Sequence, residues 1–203
     1  MKHRIATLAK AVCLTGALLA SAGAHALSVG NEAPMTDRTM KAVSGDQVSV
    51  DSVRGPKGTV VVFWCNHCPF VKMWRSRLID ISNEYKDKGF GFLAVNSNDP
   101  KKYPTDNYQA MQQVAREYNY PFPYVVDTGS EMARAFSAAR TPHVFVMNAQ
   151  NVVTYIGAID DHARNENQVK TPHLRNALDA MLEGKTPPKT HTKALGCSIK
   201  FAQ

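Results

Sequence analysis

Uninterrupted apolar runs along the chain predict the strands of a central sheet. One run, residues 59–64, consists entirely of β-branched and aromatic side chains, which is typical of a strand covered on both faces. Four further runs predict strands, and a turn at 148–151 makes the last two antiparallel. These four runs are residues 90–96, 124–126, 143–147 and 152–157. Alternating valines at 48, 50 and 53 predict a short edge strand.

Apolar residues at helical spacing predict the helices between these strands. The first helix follows Pro69, a residue suited to a first helical turn; its apolar positions are Phe70, Val71, Trp74, Leu78 and Tyr85. A second helix is capped by Thr105, and one of its faces is formed by Met111, Val114, Ala115 and Tyr118. Residues 130–138 predict a short helix. The last begins at Thr171-Pro172 and ends at Gly184, with Leu174, Leu178, Met181 and Leu182 on its buried face.

The order of these elements predicts an α/β fold. A strand, a helix and a second strand form a parallel pair with a crossover, and the later strands form a hairpin closed by a helix. We therefore expect one folded domain over residues 27–184, followed by a polar, proline-containing C-terminal tail at 185–203.

The first 26 residues have the pattern of a signal peptide. Basic residues at 2, 4 and 10 precede an uncharged stretch at 11–20, and Ala24-His25-Ala26 fits a cleavage site. The stretch is short for a bilayer span, although an uncleaved anchor is the alternative. We expect a periplasmic or secreted protein without stable membrane insertion after cleavage, which would remove Cys13.

Charge and cysteine content narrow the function classes. Cleavage after residue 26 would lower the net charge from +7 to +4. The basic residues are scattered without an aromatic-interleaved stripe, which argues against a nucleic-acid partner. Three cysteines would remain, Cys65, Cys68 and Cys197. An odd number leaves one thiol free, shared or transiently used, which favours redox chemistry over a disulfide scaffold.

The Cys65-Asn66-His67-Cys68 motif lies where a buried strand is followed by a helix. Unpaired N–H groups at a helix start stabilise a thiolate, and two nearby thiols perform attack and release in disulfide exchange. We expect Cys65 to attack, because it comes first at the helix start and should be the more exposed thiol. A purely structural disulfide is the alternative.

The chain resembles thioredoxin-fold proteins of the redoxin branch, the alkyl hydroperoxide reductase and thiol-specific antioxidant group that includes peroxiredoxins. The resemblance rests on residues 64–69, Thr141-Pro142 and the Val29-Gly30-Asn31-Glu32-Ala33-Pro34 segment. It implies a thioredoxin-like fold, a central mixed sheet flanked by helices with an N-terminal extension and a C-terminal tail. It also implies a cis peptide at Thr141-Pro142 facing the cysteines, with adjacent backbone binding substrate. The implied activity is disulfide exchange with protein thiols or disulfides and an unknown redox partner, without a cofactor.

Two departures from the resembled families affect this expectation. Thioredoxins carry a buried acid in the strand before the motif, where this chain has Val60, Val61 and Val62; another group or water must serve. Peroxiredoxins place a threonine three residues before the peroxidatic cysteine. Cys68 matches that cysteine, but Cys65 stands in the threonine position. A thiol peroxidase using Cys68 is therefore the alternative to dithiol exchange.

Three further features remain open in the sequence. A protonated His67 would favour the thiolate and make the disulfide more oxidising, or it is a bystander facing solvent. Cys197 is either an inert thiol or a third redox thiol on a docked tail. Cys65, His67 and Cys68 could start a metal site completed by His143 or His162, as in a copper- or zinc-binding chaperone, but their spacing argues against metal.

Overall fold

The computed structural model describes residues 26–203, so nearly all of the predicted signal peptide and Cys13 lie outside the described residues. In chain order the strands are β1 (Met40–Ala42), β2 (Gln47–Val48), β3 (Gly58–Phe63), β4 (Phe90–Asn96), β5 (Tyr124–Val126), β6 (Arg140–Thr141), β7 (His143–Met147), β8 (Val153–Gly157) and β9 (Cys197–Ser198). The α-helices are α1 (Val50–Val53), α2 (Pro69–Lys86), α3 (Tyr108–Glu117), α4 (Glu131–Ala135) and α5 (His173–Leu182).

Seven of these strands form one mixed sheet in the order β2-β1-β5-β4-β3-β7-β8. Strand β3 lies inside the sheet, parallel to β4 and antiparallel to β7, and all six of its residues are buried. This position explains its uninterrupted apolar sequence. Strands β7 and β8 form the predicted antiparallel pair, and the short strands β6 and β9 pair separately.

Both faces of the sheet carry a hydrophobic core. Alternate residues of β3 point to opposite faces, with Val60 and Val62 on one and Val61 and Phe63 on the other. The first face packs against α2, α3 and α5. The second packs against α1, α4 and Ile199 of the C-terminal segment. The predicted central mixed sheet flanked by helices is confirmed.

Two of the predicted elements are wrong in detail. The expected edge strand through three valines stops at Val48, and α1 follows it. Ser49 and Ser52 form a reciprocal capping box that starts this short helix, and valines three positions apart also share a helix face. Thr105 does not cap α3. The Asn107 side chain accepts a hydrogen bond from the Ala110 N–H at 2.8 Å and so takes that role.

The C-terminal segment is docked on the sheet along much of its length. The Thr192 N–H donates to the Ile156 carbonyl at 2.9 Å, and further along the Ile199 N–H donates to Ala139 at 3.0 Å. Ile199 is buried. Between these contacts, β9 pairs with β6 next to the cysteine motif. Among residues 26–203, no helix combines the length and apolarity needed to cross a membrane.

Candidate active site

The cysteine motif connects β3 to α2, as predicted, but the helix begins at the second cysteine. Cys68 is the N-cap residue of α2, and Pro69 occupies the first helical turn. Cys65 lies three residues upstream, outside the helix. Cys68, and not Cys65, therefore faces the unpaired N–H groups and the positive end of the helix dipole.

The expected difference in exposure between the two thiols is absent. Cys65 and Cys68 are both 0% exposed. Both reasons for regarding Cys65 as the attacking thiol, its place at the helix start and its exposure, are therefore wrong. Cys197 is the half-buried thiol among the three cysteines of the described residues, and all three are free.

Thr141 and Pro142 lie against the cysteine pair, and the peptide bond between them is cis, as the resemblance implied. The Cys65 Sγ atom is 3.3 Å from the Thr141 hydroxyl oxygen. The Cys68 Sγ atom is 3.1 Å from the Thr141 carbonyl oxygen. Thr141 thus contacts both sulfurs, and these residues, 73 and 76 positions apart along the chain, form one site.

Hydrogen bonds to its sulfur favour the ionised form of Cys68. A hydrogen bond from the Cys65 thiol makes the largest contribution, and the pKa of Cys68 falls to about 4 although burial opposes this. The Cys197 thiol and the backbone N–H groups of Val71 and Cys197 also lower this pKa. The Thr141 carbonyl opposes this effect, because only a protonated thiol can donate to it. The pKa of Cys68 is nevertheless the lower one of the pair.

Cys65 is correspondingly held in the protonated form. Its hydrogen bond to Cys68 is the main reason that the pKa of Cys65 lies far above the usual range of a cysteine. Burial and the negative charge of Asp106 raise this pKa further, whereas the Thr141 hydroxyl lowers it. The two thiols therefore divide their roles in the reduced protein, one ionised and one donating to it.

Asp106 is a buried acid that sequence reasoning missed. Its carboxylate accepts hydrogen bonds from the Asn66 N–H at 2.7 Å and the Asn98 amide at 2.8 Å. The side chain of Asp106 is inaccessible to solvent. Thioredoxins place their acid in the strand before the motif, whereas here it comes from the turn before α3. Its position, 40 residues beyond Asn66, gave no local signal.

His67 binds this acid directly. Its Nδ1 atom is 2.5 Å from Asp106 Oδ2, and its ring stacks on Tyr103 with 5.0 Å between centroids. The histidine is therefore a fixed, partly buried group and not a freely solvated loop residue. Cys65 Sγ, a His67 ring nitrogen and an Asp106 oxygen all lie within 4.8 Å of one another.

That group of three is also the cluster of potential metal ligands within residues 26–203. Its composition differs from the predicted one, because Asp106 takes part and Cys68, His143 and His162 do not. The carboxylate of Asp106 is already hydrogen-bonded to Asn66, Asn98 and His67. These three hydrogen bonds satisfy the Asp106 carboxylate, as is usual for a buried polar group.

The tail brings Cys197 into the same site. Cys197 pairs with Thr141 in the β6–β9 register, and it packs against the cluster that contains Cys65 and Cys68. The preceding Gly196 approaches so closely that a Cβ atom there would lie 2.2 Å from the Thr141 carbonyl oxygen. The Arg140 guanidinium donates to the Gly196 carbonyl at 3.2 Å, so Arg140 holds the tail.

Comparisons with known proteins place this fold and site. A crystal structure of an uncharacterized conserved protein from Geobacillus kaustophilus is 39% identical, with a TM-score of 0.81, over 87% of this chain and 93% of that one. The thioredoxin domain of a thiol-disulfide oxidoreductase from Bacteroides vulgatus has a TM-score of 0.54 at 20% identity, covering 64% of this chain and 89% of that domain. This second likeness supports the thioredoxin-like fold.

A curated relative is similar over a shorter region. The thiol-disulfide oxidoreductase ResA of Halalkalibacterium halodurans is 23% identical over 117 residues, which is 58% of this chain. The chain spans 62% of the length of that relative.

The mixed sheet, with free thiols at the start of α2, defines the structural class of the protein as a thioredoxin-like fold. The model of the AhpC/TSA family matches residues 29–156, more than half of the chain. The chain belongs to the AhpC/TSA family. The redoxin resemblance drawn from the motif residues is thereby confirmed.

Proposed function

We propose that this protein is an exported thiol–disulfide oxidoreductase that uses the Cys65-Asn66-His67-Cys68 dithiol to exchange disulfides with protein partners. One observation carries the proposal: Cys68 is the N-cap residue of the 18-residue helix α2, and Thr141 contacts both its sulfur and that of Cys65. A stabilised thiolate beside a second thiol has the two groups that exchange requires. The similarity to ResA, named as a thiol-disulfide oxidoreductase, supports this activity.

In the proposed reaction, the Cys68 thiolate attacks one sulfur of a partner disulfide. A mixed disulfide forms between Cys68 and the partner, and the partner's other sulfur leaves as a thiolate. Cys65 then attacks the Cys68 sulfur and releases the second partner sulfur, which leaves the Cys65–Cys68 disulfide. Two electrons pass from the dithiol to the partner, and the same steps in reverse oxidise a partner dithiol.

Cys65 must lose its proton before it attacks. In the resting site its thiol donates to Cys68, but a mixed disulfide removes the negative charge from that sulfur. The Asp106 carboxylate and the His67 ring lie within 4.8 Å of Cys65 Sγ. We assign this pair to accept the Cys65 proton, in the role that thioredoxins give to their own buried acid.

The proposed location is the periplasm or the extracellular space. The support is the basic start, the uncharged stretch at 11–20 and the Ala24-His25-Ala26 cleavage pattern. The proposed mature chain comprises a thioredoxin-like domain at 27–184 and a C-terminal tail at 185–203. An oxidising compartment would supply partner disulfides.

The test combines a redox titration with an exchange assay. The mature chain is equilibrated in glutathione buffers and the Cys65–Cys68 disulfide is quantified, then reduction of insulin disulfides is followed. We expect a defined two-electron potential and measurable insulin reduction by the wild-type chain. Cys68→Ser should abolish exchange, and the Cys65→Ser/Cys197→Ser double variant should accumulate mixed disulfides. Full exchange activity in Cys68→Ser would overturn the assignment.

A further inference from the structure

Three cysteines converge on Thr141. The sulfurs of Cys65 and Cys68 both contact Thr141, and Cys197 on the tail pairs with Thr141 in the β6–β9 register. Cys197 packs against the core cluster that contains both motif cysteines. A sulfur with two thiol neighbours has two possible intramolecular disulfide partners.

Several specific contacts hold the tail in this position. Strand β9 pairs with β6, and Cys197 faces Thr141 in that register. Gly196 leaves no room for a side chain against the Thr141 carbonyl. Beyond the strand, the Lys200 N–H donates to Asn98 Oδ1 at 2.8 Å, and its carbonyl accepts from the Asp99 N–H at 2.7 Å. The tail is thus anchored on both sides of the thiol.

The exposure of the three thiols differs in a way that matters for partners. Cys65 and Cys68 are 0% exposed, whereas Cys197 is half-buried. Cys197 therefore packs against the cluster that holds both motif cysteines and is still partly exposed. A partner protein that approaches the closed site meets Cys197 as the most accessible of the three cysteines.

We propose that Cys197 is a relay thiol, which carries the disulfide between the buried Cys65–Cys68 pair and the thiols of a partner protein. This inference rests on the proposed oxidoreductase function and assigns the route by which partners reach the site. In this scheme, β9 presents the Cys197 thiol to Cys68 as an intramolecular substrate.

The relay balances without any further reactant. Starting from the oxidised pair, the Cys197 thiolate attacks the Cys68 sulfur. The Cys68–Cys197 bond forms, the Cys65–Cys68 bond breaks, and Cys65 takes the proton that Cys197 has lost. A partner thiolate then attacks the Cys197 sulfur, and Cys68 departs as its stabilised thiolate, which makes it the better leaving group.

The second thiol of the partner completes the cycle. It attacks the partner sulfur bound to Cys197, so the partner gains a disulfide and Cys197 is released as a thiol. Two electrons and one proton have passed from the partner dithiol to the protein, and the partner's other proton goes to solvent because Cys68 ends as a thiolate. Every step is a thiol–disulfide exchange and runs in reverse for a partner that is being reduced.

The direct test is disulfide mapping after mild oxidation. The mature full chain is oxidised with glutathione disulfide, quenched in acid, alkylated and digested with trypsin without reduction. Cys65 and Cys68 fall in the peptide of residues 58–72, and Cys197 falls in the peptide of residues 194–200. We expect a linked pair of these peptides as a minor product in wild type and as the main product in Cys65→Ser.

A matched control moves the thiol to the neighbouring position. In the Cys197→Ser/Ser198→Cys double variant the thiol lies on the exposed Ser198 position, and the linked peptides should be largely lost. Cys197→Ser should slow insulin reduction by about tenfold, while oxidation of Cys65–Cys68 by glutathione persists.

Two outcomes separate the relay from the underlying function. Absence of the linked peptides in Cys65→Ser, or insulin reduction by Cys197→Ser at the wild-type rate, would overturn the relay and leave the oxidoreductase proposal intact. A wild-type chain that forms the Cys65–Cys68 disulfide but exchanges with no protein disulfide would overturn the oxidoreductase proposal itself.

Discussion

His67 and Asp106 form a closely hydrogen-bonded pair beside the thiols, with 2.5 Å between Nδ1 and Oδ2. The histidine comes from the cysteine motif and the aspartate from the turn before α3. The same carboxylate also accepts from the Asn66 backbone. The pair therefore fixes the loop that presents both cysteines and places the Asp106 carboxylate within 4.8 Å of Cys65 Sγ.

The first prediction concerns the Asp106 carboxylate. Asp106→Asn keeps the shape of the side chain but removes the proposed proton acceptor, so Cys65 should resolve a Cys68–glutathione mixed disulfide about 100-fold more slowly at neutral pH. Loss of the charge should also lower the pKa of Cys65, because Asp106 raises it. The rate difference should therefore shrink as the pH rises. Stopped-flow measurements in a Cys197→Ser background isolate this step.

Asp99→Asn is the control for that measurement, since Asp99 is another buried acid and its carboxylate accepts from the Lys101 N–H. It should leave the resolution rate unchanged. Equal rates for Asp106→Asn and its parent at neutral pH would remove the proton-acceptor role from Asp106.

The second prediction concerns His67. His67→Ala removes a donor from the Asp106 carboxylate, leaves its negative charge less compensated near the thiols, and should raise the pKa of Cys68. The reduced form loses stability, so the reduction potential should become more negative by about 30 mV if the change is about 1.4 kcal/mol. Thiolate absorbance against pH measures the pKa of Cys68, and a glutathione titration measures the reduction potential.

Tyr103→Leu separates stacking from hydrogen bonding at the same histidine, because it removes the ring that lies 5.0 Å from His67. It should produce the smaller change in both assays. Unchanged values in His67→Ala would make the helix terminus and the thiol donors sufficient for the reactivity.

The third prediction concerns hydrogen peroxide. The position three residues before Cys68 holds Cys65 in place of the peroxiredoxin threonine, and Cys68 is inaccessible in the closed site. We therefore expect slow peroxide consumption with a thiol reductant. Cys65→Thr should accelerate it relative to Cys65→Ala, because only threonine supplies a hydroxyl there. Rapid Cys68-dependent turnover by wild type would favour the peroxidase alternative.

The fourth prediction concerns His143 at the start of β7. Burial, assisted by His191, lowers the pKa of His143 from 6.5 to about 4. The unfolded chain binds a proton on His143 near pH 6.5, whereas the folded protein binds it only near pH 4. Protonation therefore favours the unfolded state, and the protein loses stability as the pH falls across that interval. Its contribution is on the order of 3 kcal/mol at most. Denaturant unfolding from pH 7 to 4 should show a smaller loss in His143→Gln.

The fifth prediction concerns the close contact at Gly196. An added Cβ atom would lie 2.2 Å from the Thr141 carbonyl oxygen, so Gly196→Ala should displace β9 and cost about 1–3 kcal/mol of stability. Cys68 should then react faster with iodoacetamide. Ser198→Ala, a change at an exposed position of the same strand, should match wild type in both measurements. A slow, wild-type alkylation rate in Gly196→Ala would show that the tail does not limit access.

The sequence predicted the sheet because burial on both faces leaves a local record, as in the apolar run of β3. It predicted the junction of strand, thiols and helix for the same reason. It misjudged which thiol caps α2, because spacing alone does not tell whether a helix starts before or after an Asn-His pair. Asp106 and the docking of Cys197 depend on contacts between distant segments, for which no local pattern exists.

The separation of the thiols along the chain gives the two disulfides different thermodynamic weight. A Cys65–Cys68 bond closes a ring across two residues, whereas a Cys68–Cys197 bond closes a loop of 129 residues. In the chain-entropy model, the short ring restricts the unfolded chain by roughly 2 kcal/mol and a loop of that length by roughly 5 kcal/mol. Passage of the disulfide to the tail would therefore raise the melting temperature, so a calorimeter could follow the position of the disulfide.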